Sequence, residues 1–291
     1  MSGRDPHGLL GQVDPLPARK FVIAVQKLAD DLTYGLDGSR YRGSGIDYVQ
    51  SRPYAPGDPI KSMDWRVTAR SGKYHVKEYE AQRRYPAWFL IDTSASMVIS
   101  STRLSKYELA LRTAGGIALA CLDRMSPVGV LGAGDSDLRI EPSLAKDLVL
   151  QWLLRLRRYR LDEPTRIVQR LAQLRPTLKA RSLVFVLSDL HEVDAVHAIA
   201  MLAQQHEVAV LQLQDPAEVT LRGSGFLRAQ EAESGRGFVT SGRRQLLDQS
   251  RITNALRRGG VGHLLIRTDE PFLPRLRLFL RSRGIAGRGA R

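Results

Sequence analysis

Cysteine is almost absent from this sequence, and so is any long apolar run. Cys121 is the only cysteine, which excludes an internal disulfide and a zinc site built on cysteine thiolates. The longest stretch without Asp, Glu, Lys or Arg covers twelve residues, 195–206, whereas a membrane-spanning helix needs about 18 apolar residues or more. The first fifteen residues contain no apolar segment of the kind that a secretion signal carries. These absences predict a soluble, cytoplasmic protein of bacterial type.

Acidic residues are in the minority. Lys and Arg number 44 against 30 Asp and Glu, a formal net charge of +14 over 291 residues. Nine basic residues fall within 155–181 and six arginines within 271–291. Basic surfaces attract nucleic acid, anionic lipid or acidic proteins. These stretches are not interleaved with aromatics in the manner of a nucleic-acid groove. We therefore expect solvated helix faces and keep nucleic-acid binding as the alternative function.

The chain changes character at two points. Residues 1–16 are rich in polar residues, Gly and Pro, and indicate a flexible tail. Residues 17–83 begin with a helical pattern and continue as a small β-rich module, 38–83, marked by turn signals such as 43–45 and 56–58. The module has few large apolar residues, so we expect it to pack against its neighbour and not to fold alone.

The remainder, residues 84–285, alternates apolar runs with helical stretches, and a basic tail, 286–291, ends the chain. The runs at 87–91, 128–131, 183–187, 208–213 and 261–266 are continuous, as in strands that are buried on both faces. Such alternation predicts an α/β fold with a doubly wound, mainly parallel sheet. We also expect a β-hairpin within 226–240.

Oxygen-bearing side chains follow two of the predicted strands. Asp92, Ser94 and Ser96 alternate after the first strand, and Asp189 follows another. In an extended segment alternate side chains point the same way, so the first three can converge. Thr165 opens a helix between them. Hard oxygens at the carboxyl edge of a sheet suit Mg²⁺, or another divalent cation such as Mn²⁺ or Ca²⁺.

Two enzyme classes compete with this metal site as explanations of the same residues. A phosphoryl-accepting aspartate of the familiar phosphatase type needs a second Asp two residues on, where this chain has Ser94. His191 and His197 are six residues apart, whereas a helical zinc motif needs a spacing of four, so His191 is predicted to be a lone surface histidine. Serine-hydrolase and P-loop motifs do not occur, and Cys121 lies in an apolar stretch. We expect no catalytic activity.

The order Asp92-x-Ser94-x-Ser96, Thr165, Asp189 resembles the metal-ion-dependent adhesion site of von Willebrand factor type A domains. Upstream, the segments 52–58, 63–65, 69–70 and 76–78 resemble the signature of a bacterial family known as domain-of-unknown-function family 58, in which this block precedes an A-type domain. The resemblance covers about residues 17–285. Mild departures at 47–48 and 61–62 leave the metal-site positions untouched, and Thr165 is placed by spacing alone.

The resemblance implies partners as well as a fold. Members of that family usually accompany a MoxR-type AAA ATPase, and the pair is thought to act as a chaperone-like or metal-insertion machine. It implies a non-catalytic protein that binds a carboxylate of the ATPase or of a client protein through the metal ion. From the residues alone, Asp64 and Arg70 of the upstream block are expected to pair, with Trp65 packed between them and the sheet, holding the module together.

Overall fold

The computed structural model describes residues 11–12, 17–36, 46–81, 85–158, 163–192, 194–220, 226–230, 237–241 and 249–283. Two compact units are present: Gly38–Arg84 forms the smaller one, and Met1–Asp37 with Tyr85–Arg291 forms the larger one. The predicted turn at 43–45, residues 231–236 of the predicted hairpin, the tail 286–291 and the tail 1–16 apart from 11–12 lie outside the described residues.

The chain begins with a two-residue strand, β1 (Gly11–Gln12), and helix α1 (Ala18–Leu36). The smaller unit contains β2 (Ile46–Pro53), a 3₁₀ turn (Ile60–Ser62), α2 (Trp65–Ser71) and β3 (His75–Ala81). β2 and β3 pair in antiparallel fashion, which confirms a small β-rich module. Gly72 ends α2 in the left-handed region, at a φ of 70°, a conformation that glycine adopts without steric cost.

The larger unit contains nine further strands and seven further helices among its described residues. In chain order they are β4 (Ala87–Ile91), β5 (Ile99–Ser100), α3 (Lys106–Asp123), β6 (Val128–Gly132), β7 (Arg139–Ser143), α4 (Lys146–Arg157), α5 (Ile167–Leu174), β8 (Leu183–Ser188), α6 (Ala195–Ala203), β9 (Glu207–Gln214), α7 (Pro216–Thr220), β10 (Phe226–Gln230), β11 (Gly237–Ser241), α8 (Gln249–Arg258), β12 (Gly262–Arg267) and α9 (Leu273–Ser282). Short 3₁₀ turns cover Ala95–Val98 and Arg175–Thr177.

The central sheet has six strands in the order β12-β9-β8-β4-β6-β7. Every neighbouring pair is parallel except β6 and β7. Along β4, Phe89 and Ile91 enter one core, while Trp88 and Leu90 enter the other. A strand with both faces buried needs apolar residues at every position. The prediction of a doubly wound, mainly parallel sheet is confirmed, and β10 with β11 forms the expected antiparallel pair.

Strand order creates a crevice between β4 and β8. From β4 the chain continues to β6, which lies on one side of β4. From β8, which lies on the other side of β4, the chain continues to β9, farther away in that same direction. The connections that leave the carboxyl ends of β4 and β8 therefore run in opposite directions. Open α/β sheets bind ligands at such a switch point, outside the carboxyl ends of the strands. Asp92 follows β4, and Asp189 follows β8.

Helix α1 belongs to the larger unit, whereas the sequence grouped residues 17–83 together. Its residues Phe21 and Val25 lie in the same core as α3. Two glycines of α3 allow the close approach, since a Cβ on Gly115 would meet Val25 at 2.7 Å and one on Gly116 would meet Leu28 at 2.7 Å. The sequence analysis also missed β7, a half-buried antiparallel edge strand without a continuous apolar run.

Candidate metal centre

The loop after β4 is organised by the carboxylate of Asp92. Its Oδ1 accepts a hydrogen bond from the backbone N–H of Ser94 at 3.1 Å, and its Oδ2 accepts one from the Ser188 hydroxyl at 2.5 Å. The backbone N–H of Asp92 donates to the carbonyl of Leu187 at 2.9 Å. Asp92 is fully buried. This aspartate therefore ties the end of β4 to the end of β8.

Two serine hydroxyls connect this loop to Asp189. Ser94 Oγ lies 3.0 Å from Ser96 Oγ, and Ser96 Oγ donates to Asp189 Oδ2 at 2.9 Å. The structure thus brings four of the five predicted residues into one hydrogen-bonded chain. Their convergence was expected from an extended segment, but Ala95–Val98 is a 3₁₀ turn. The tight turn, and not strand alternation, brings the two hydroxyls together.

Asp189 is the most constrained group of the centre. Its side chain is only 1% exposed, and its Oδ2 accepts from both Ser96 Oγ and the ammonium of Lys106, the latter at 2.7 Å. Its other oxygen, Oδ1, receives no hydrogen bond from any described residue. A buried carboxylate oxygen without a partner is costly. Such an oxygen marks a position where a ligand would be stabilised.

The pKa values of Asp92 and Asp189 are shifted in opposite directions. Burial, and next the negative charge of Asp189, raise the pKa of Asp92 to about 7. Burial also acts to raise the pKa of Asp189, but the charges of Lys106 and His191 outweigh it, and the pKa lies below its ordinary value. Two neighbouring carboxylates resist simultaneous ionisation. A cation between them would relieve that resistance.

Lys106 is a member of the centre that the sequence analysis missed. It is the first residue of α3, and its buried ammonium contacts both Asp189 and Glu218. Burial alone would lower its pKa, but the two carboxylates raise the pKa above the ordinary lysine value. A signal was present in the sequence, because a cation in the first turn of a helix opposes the helix dipole unless a carboxylate compensates it.

Thr165 lies on a segment that runs beside the Asp92 loop. The carbonyl of Glu163 accepts from the N–H of Ala95 at 3.0 Å, Glu163 forms a parallel bridge with Ser94, and the N–H of Arg166 donates to Ala133 at 2.7 Å. The structure therefore places Thr165 in a buried position on the segment that borders the loop. Its assignment as a ligand stays a prediction.

A second group of potential ligands shares Asp189. Ligand atoms of Asp189, His191 and Glu218 lie within 4.8 Å of one another, so these residues could hold a metal ion. The prediction that His191 is a lone surface residue is therefore wrong, since its Nε2 lies 3.7 Å from Asp189 Oδ2. Lys106, however, already bridges Asp189 and Glu218. A metal ion in this group would have to displace a buried ammonium.

The donors of the Asp92 loop, together with Asp189, fit a hard divalent cation. Two carboxylates and two hydroxyls are hydrogen-bonded in sequence, and the unpartnered Asp189 Oδ1 belongs to the same group. Mg²⁺ is usually bound by one or two carboxylates and keeps several water ligands. The histidine and thiolate ligands that zinc prefers are absent from this loop.

Cys121 takes no part in this chemistry. It is buried within the core, and burial raises the pKa of its thiol to about 12. The thiolate, which is the reactive form, is therefore disfavoured.

None of the described helices is both long enough and apolar enough to cross a membrane.

Comparisons with known proteins identify relatives without assigning a function. The chain is 27% identical over 296 residues to "Uncharacterized protein Mb1516" of Mycobacterium bovis and to "Uncharacterized protein Rv1480" of Mycobacterium tuberculosis, covering 96% of this chain and 93% of each relative. A solved structure, described as the conserved hypothetical protein BatB from Bacteroides thetaiotaomicron, is 15% identical to this chain with a TM-score of 0.48. The match covers 69% of this chain and 99% of the BatB chain. The model of the family described as "Protein of unknown function DUF58" matches residues 50–257, well over half of the chain. The protein therefore belongs to the DUF58 family.

Proposed function

We propose that this protein is a non-catalytic, metal-dependent protein-interaction protein with a von Willebrand factor A-like domain. It works with a MoxR-type AAA ATPase in the chaperone-like assembly or maturation of client proteins. The observation that carries the metal-dependent part is the unpartnered, buried Asp189 Oδ1 beside the hydrogen-bonded chain of Asp92, Ser94 and Ser96. This group lies at the switch point of the sheet, where α/β folds bind ligands.

In this proposal Ser94 and Ser96 hold Mg²⁺ directly. Asp92, Asp189 and Thr165 hold it directly or through water. The ion would supply Lewis acidity that a partner carboxylate could satisfy, because only Asp92 and Asp189 would neutralise its charge. An acidic side chain of a partner protein can complete that coordination. Mn²⁺ or Ca²⁺ can substitute for Mg²⁺, since both also prefer oxygen ligands.

The non-catalytic part of the proposal depends on what the loop offers. A hydrolase of the phosphatase type needs an acid–base residue two positions after the first aspartate, and Ser94 occupies that position with its hydroxyl bonded to Ser96. Lys106 is held between two carboxylates, so its protonated form is stabilised and it is a poor base or nucleophile.

The partner assignment depends on family resemblance. The proposal that a MoxR-type ATPase or its client presents the carboxylate follows from membership of the DUF58 family and from the usual company of its members. A metal-coordinated carboxylate gives a contact that can be formed and broken without refolding, which suits repeated cycles of client binding and release.

Titration calorimetry with MgCl₂ tests the metal site first. We expect wild type to bind Mg²⁺, and Asp92→Asn or Ser96→Ala to lose most of that affinity, because the first removes the negative charge of a ligand and the second removes a ligand oxygen. Glu218→Gln serves as the matched control, since Glu218 belongs only to the second ligand group. If Glu218→Gln abolishes binding while Asp92→Asn leaves it intact, the ion occupies the second group and the proposed ligand set is wrong.

Partner binding is then measured for wild type and Asp92→Asn, each with Mg²⁺ and with a chelator. The MoxR-type ATPase is the partner to use. We expect binding only by wild type with Mg²⁺, whereas Arg281→Glu, at an exposed position of α9, should bind almost normally. Equal, metal-independent binding by wild type and Asp92→Asn would refute the proposal. A loss with Arg281→Glu alone would return the basic surface to consideration.

A further inference from the structure

The smaller unit presents an exposed tryptophan. Of the three tryptophans, Trp88 and Trp152 are buried, but Trp65 is 62% exposed. The expectation that Trp65 packs between Asp64, Arg70 and the sheet is therefore wrong. Four of the eight large hydrophobic side chains that are exposed in the described part of the chain belong to this unit, namely Tyr54, Ile60, Trp65 and Tyr74. Clustered exposure of this kind marks interaction surfaces.

The orientation of α2 explains the exposure. Asp64 caps the helix by accepting from the N–H groups of Arg66 and Val67, and its other oxygen accepts from Ser51 at 2.6 Å. On the inner side, Thr68 Oγ1 accepts from the N–H of His75 at 3.0 Å, which joins the helix to β3. The outer side consists of Trp65, Arg66, Ala69 and Arg70, all of them exposed. We call these four residues the Trp65 face.

The positive charges around the Trp65 face form no ion pair with the part of the chain that the structure describes. Three carboxylates of the same unit whose side chains are described are engaged elsewhere, since Asp58 pairs with Arg52 at 2.7 Å, Asp64 caps α2, and Glu78 accepts from Gln50. Within the described residues, Arg66 and Arg70 form no ion pair. Lys61 and Lys73, which flank α2, are likewise exposed and without an ion pair there. The segment 60–74 therefore presents four cations that no described carboxylate compensates.

This arrangement has a local cost. Arg66 and Arg70 are four residues apart on one face, and like charges at that spacing destabilise an isolated helix. An exposed indole adds apolar surface in contact with water. A sequence that violates local preference at several adjacent positions does so most often at functional sites. A partner with negative charges and an apolar side chain would remove both penalties.

We propose that the Trp65 face, with Lys61, Lys73 and Ile60, docks an acidic protein segment. Trp and Arg are the residues that most often dominate protein–protein affinity, and the guanidinium fork matches a carboxylate. Ile60, 75% exposed, favours a protein over a nucleic acid, because an aliphatic side chain gains by burial against apolar surface, whereas single strands bind to stacked aromatic rings. Arg66 and Arg70, one helical turn apart, match glutamates that are four residues apart on a partner helix.

This docking is independent of the metal centre. The Trp65 face contains no carboxylate, and its proposed contacts are ion pairs and apolar burial. Binding should therefore be the same with Mg²⁺ and with a chelator, and it should weaken as salt is added, since exposed charges are screened within about 10 Å at 0.1 M ionic strength. If Mg²⁺ binding at the Asp92 loop is refuted, docking at the Trp65 face is still possible. If docking at the Trp65 face is refuted, the metal-dependent proposal is equally unaffected.

Fluorescence anisotropy with a synthetic peptide tests the proposal on the full chain. The probe is a labelled helical peptide that is rich in glutamate and leucine, with glutamates four residues apart. We expect Arg66→Glu with Arg70→Glu to weaken its binding about tenfold or more, and Trp65→Ala to weaken it about fivefold or more. The matched control reverses two exposed arginines of the larger unit, Arg257 and Arg258, and should bind like wild type.

Two comparison ligands complete the experiment. A peptide with glutamine in place of glutamate should bind at least about tenfold more weakly than the acidic one. Absence of binding by the acidic peptide, or an equal loss with the control variant, overturns the proposal. Tighter binding of an oligothymidylate, lost in the same variants, would assign the face to nucleic acid instead. Circular dichroism of each variant verifies that the module is folded, and Trp65→Phe should restore most of the affinity that Trp65→Ala loses.

Discussion

Replacement of Lys106 by methionine is the most informative perturbation of the metal centre. Methionine retains the length and packing of the lysine side chain but removes the ammonium that contacts Asp189 and Glu218. Both Lys106 and Asp189 are almost completely buried, with side-chain exposures of 2% and 1%. Removing one partner of a buried ion pair leaves an uncompensated charge, at a cost of about 3–5 kcal/mol. Glu218, which is 18% exposed, is partly solvated and adds less.

Urea unfolding at pH 7.5 in a chelator measures this loss. Tryptophan fluorescence reports on the larger unit, because Trp88 and Trp152 are buried there. We expect the free energy of unfolding of Lys106→Met to fall by about 3–5 kcal/mol. The matched control is Arg181→Met, which breaks an exposed pair with Glu207, 60% and 32% exposed, and should cost less than about 1 kcal/mol.

Mg²⁺ provides a second readout for the same variant. If the ion binds Asp189, it replaces part of the missing positive charge, so Mg²⁺ should stabilise Lys106→Met more than wild type. A loss below about 1 kcal/mol in the chelator would refute the reasoning. So would an equal loss in an Asp189→Asn background, because the lost energy would then not arise from pairing with that carboxylate.

Three further predictions follow from single contacts of the structure. In a chelator, the free energy of unfolding of wild type should fall as pH rises from 5 to 8, because folded Asp92 has a pKa of about 7 against an ordinary 3.8 and so binds more protons than the unfolded chain. Between those two pH values this group contributes a loss of about 2–3 kcal/mol, and Asp92→Asn should remove that contribution in urea titrations at each pH. Gly115→Val should destabilise the larger unit by about 1–3 kcal/mol, because even a Cβ there meets Val25 and Leu153 at 2.7 and 2.9 Å; unchanged melting of Gly115→Val would contradict the packing of α1 on α3. The excised segment 38–83 should show no cooperative thermal transition by circular dichroism, because its apolar residues are too few for an independent core, and a sharp transition would show that the module folds alone.

Most of the larger unit was predictable from local pattern alone. The runs at 87–91 and 183–187 are apolar at every position, and this is sufficient to indicate strands that are covered on both faces. Once a parallel sheet is expected, Asp92 and Asp189 must lie at its carboxyl edge, because each follows a strand directly. The chemical character of the candidate site, an oxygen-rich loop without a second acid–base residue, is also written in the order of the residues from Asp92 to Ser96.

What the sequence could not supply is the pairing of distant groups. Lys106 is 83 residues from Asp189 and 112 from Glu218, and they meet only because β8 and β9 lie beside β4 in one particular order. Local periodicity determines which face of an element is buried, but it contains no information about which neighbour covers that face. The same limit applies to Trp65, whose apolar character predicted burial, whereas the direction in which Asp64 and Thr68 hold α2 leaves the indole exposed. The sequence by itself therefore determined the type of fold and two of the carboxylates of the candidate site. Tertiary structure alone decided that Lys106 pairs with one of them, Asp189, that the two serines converge and that Trp65 is exposed. These features depend on strand order and helix orientation and not on residue spacing.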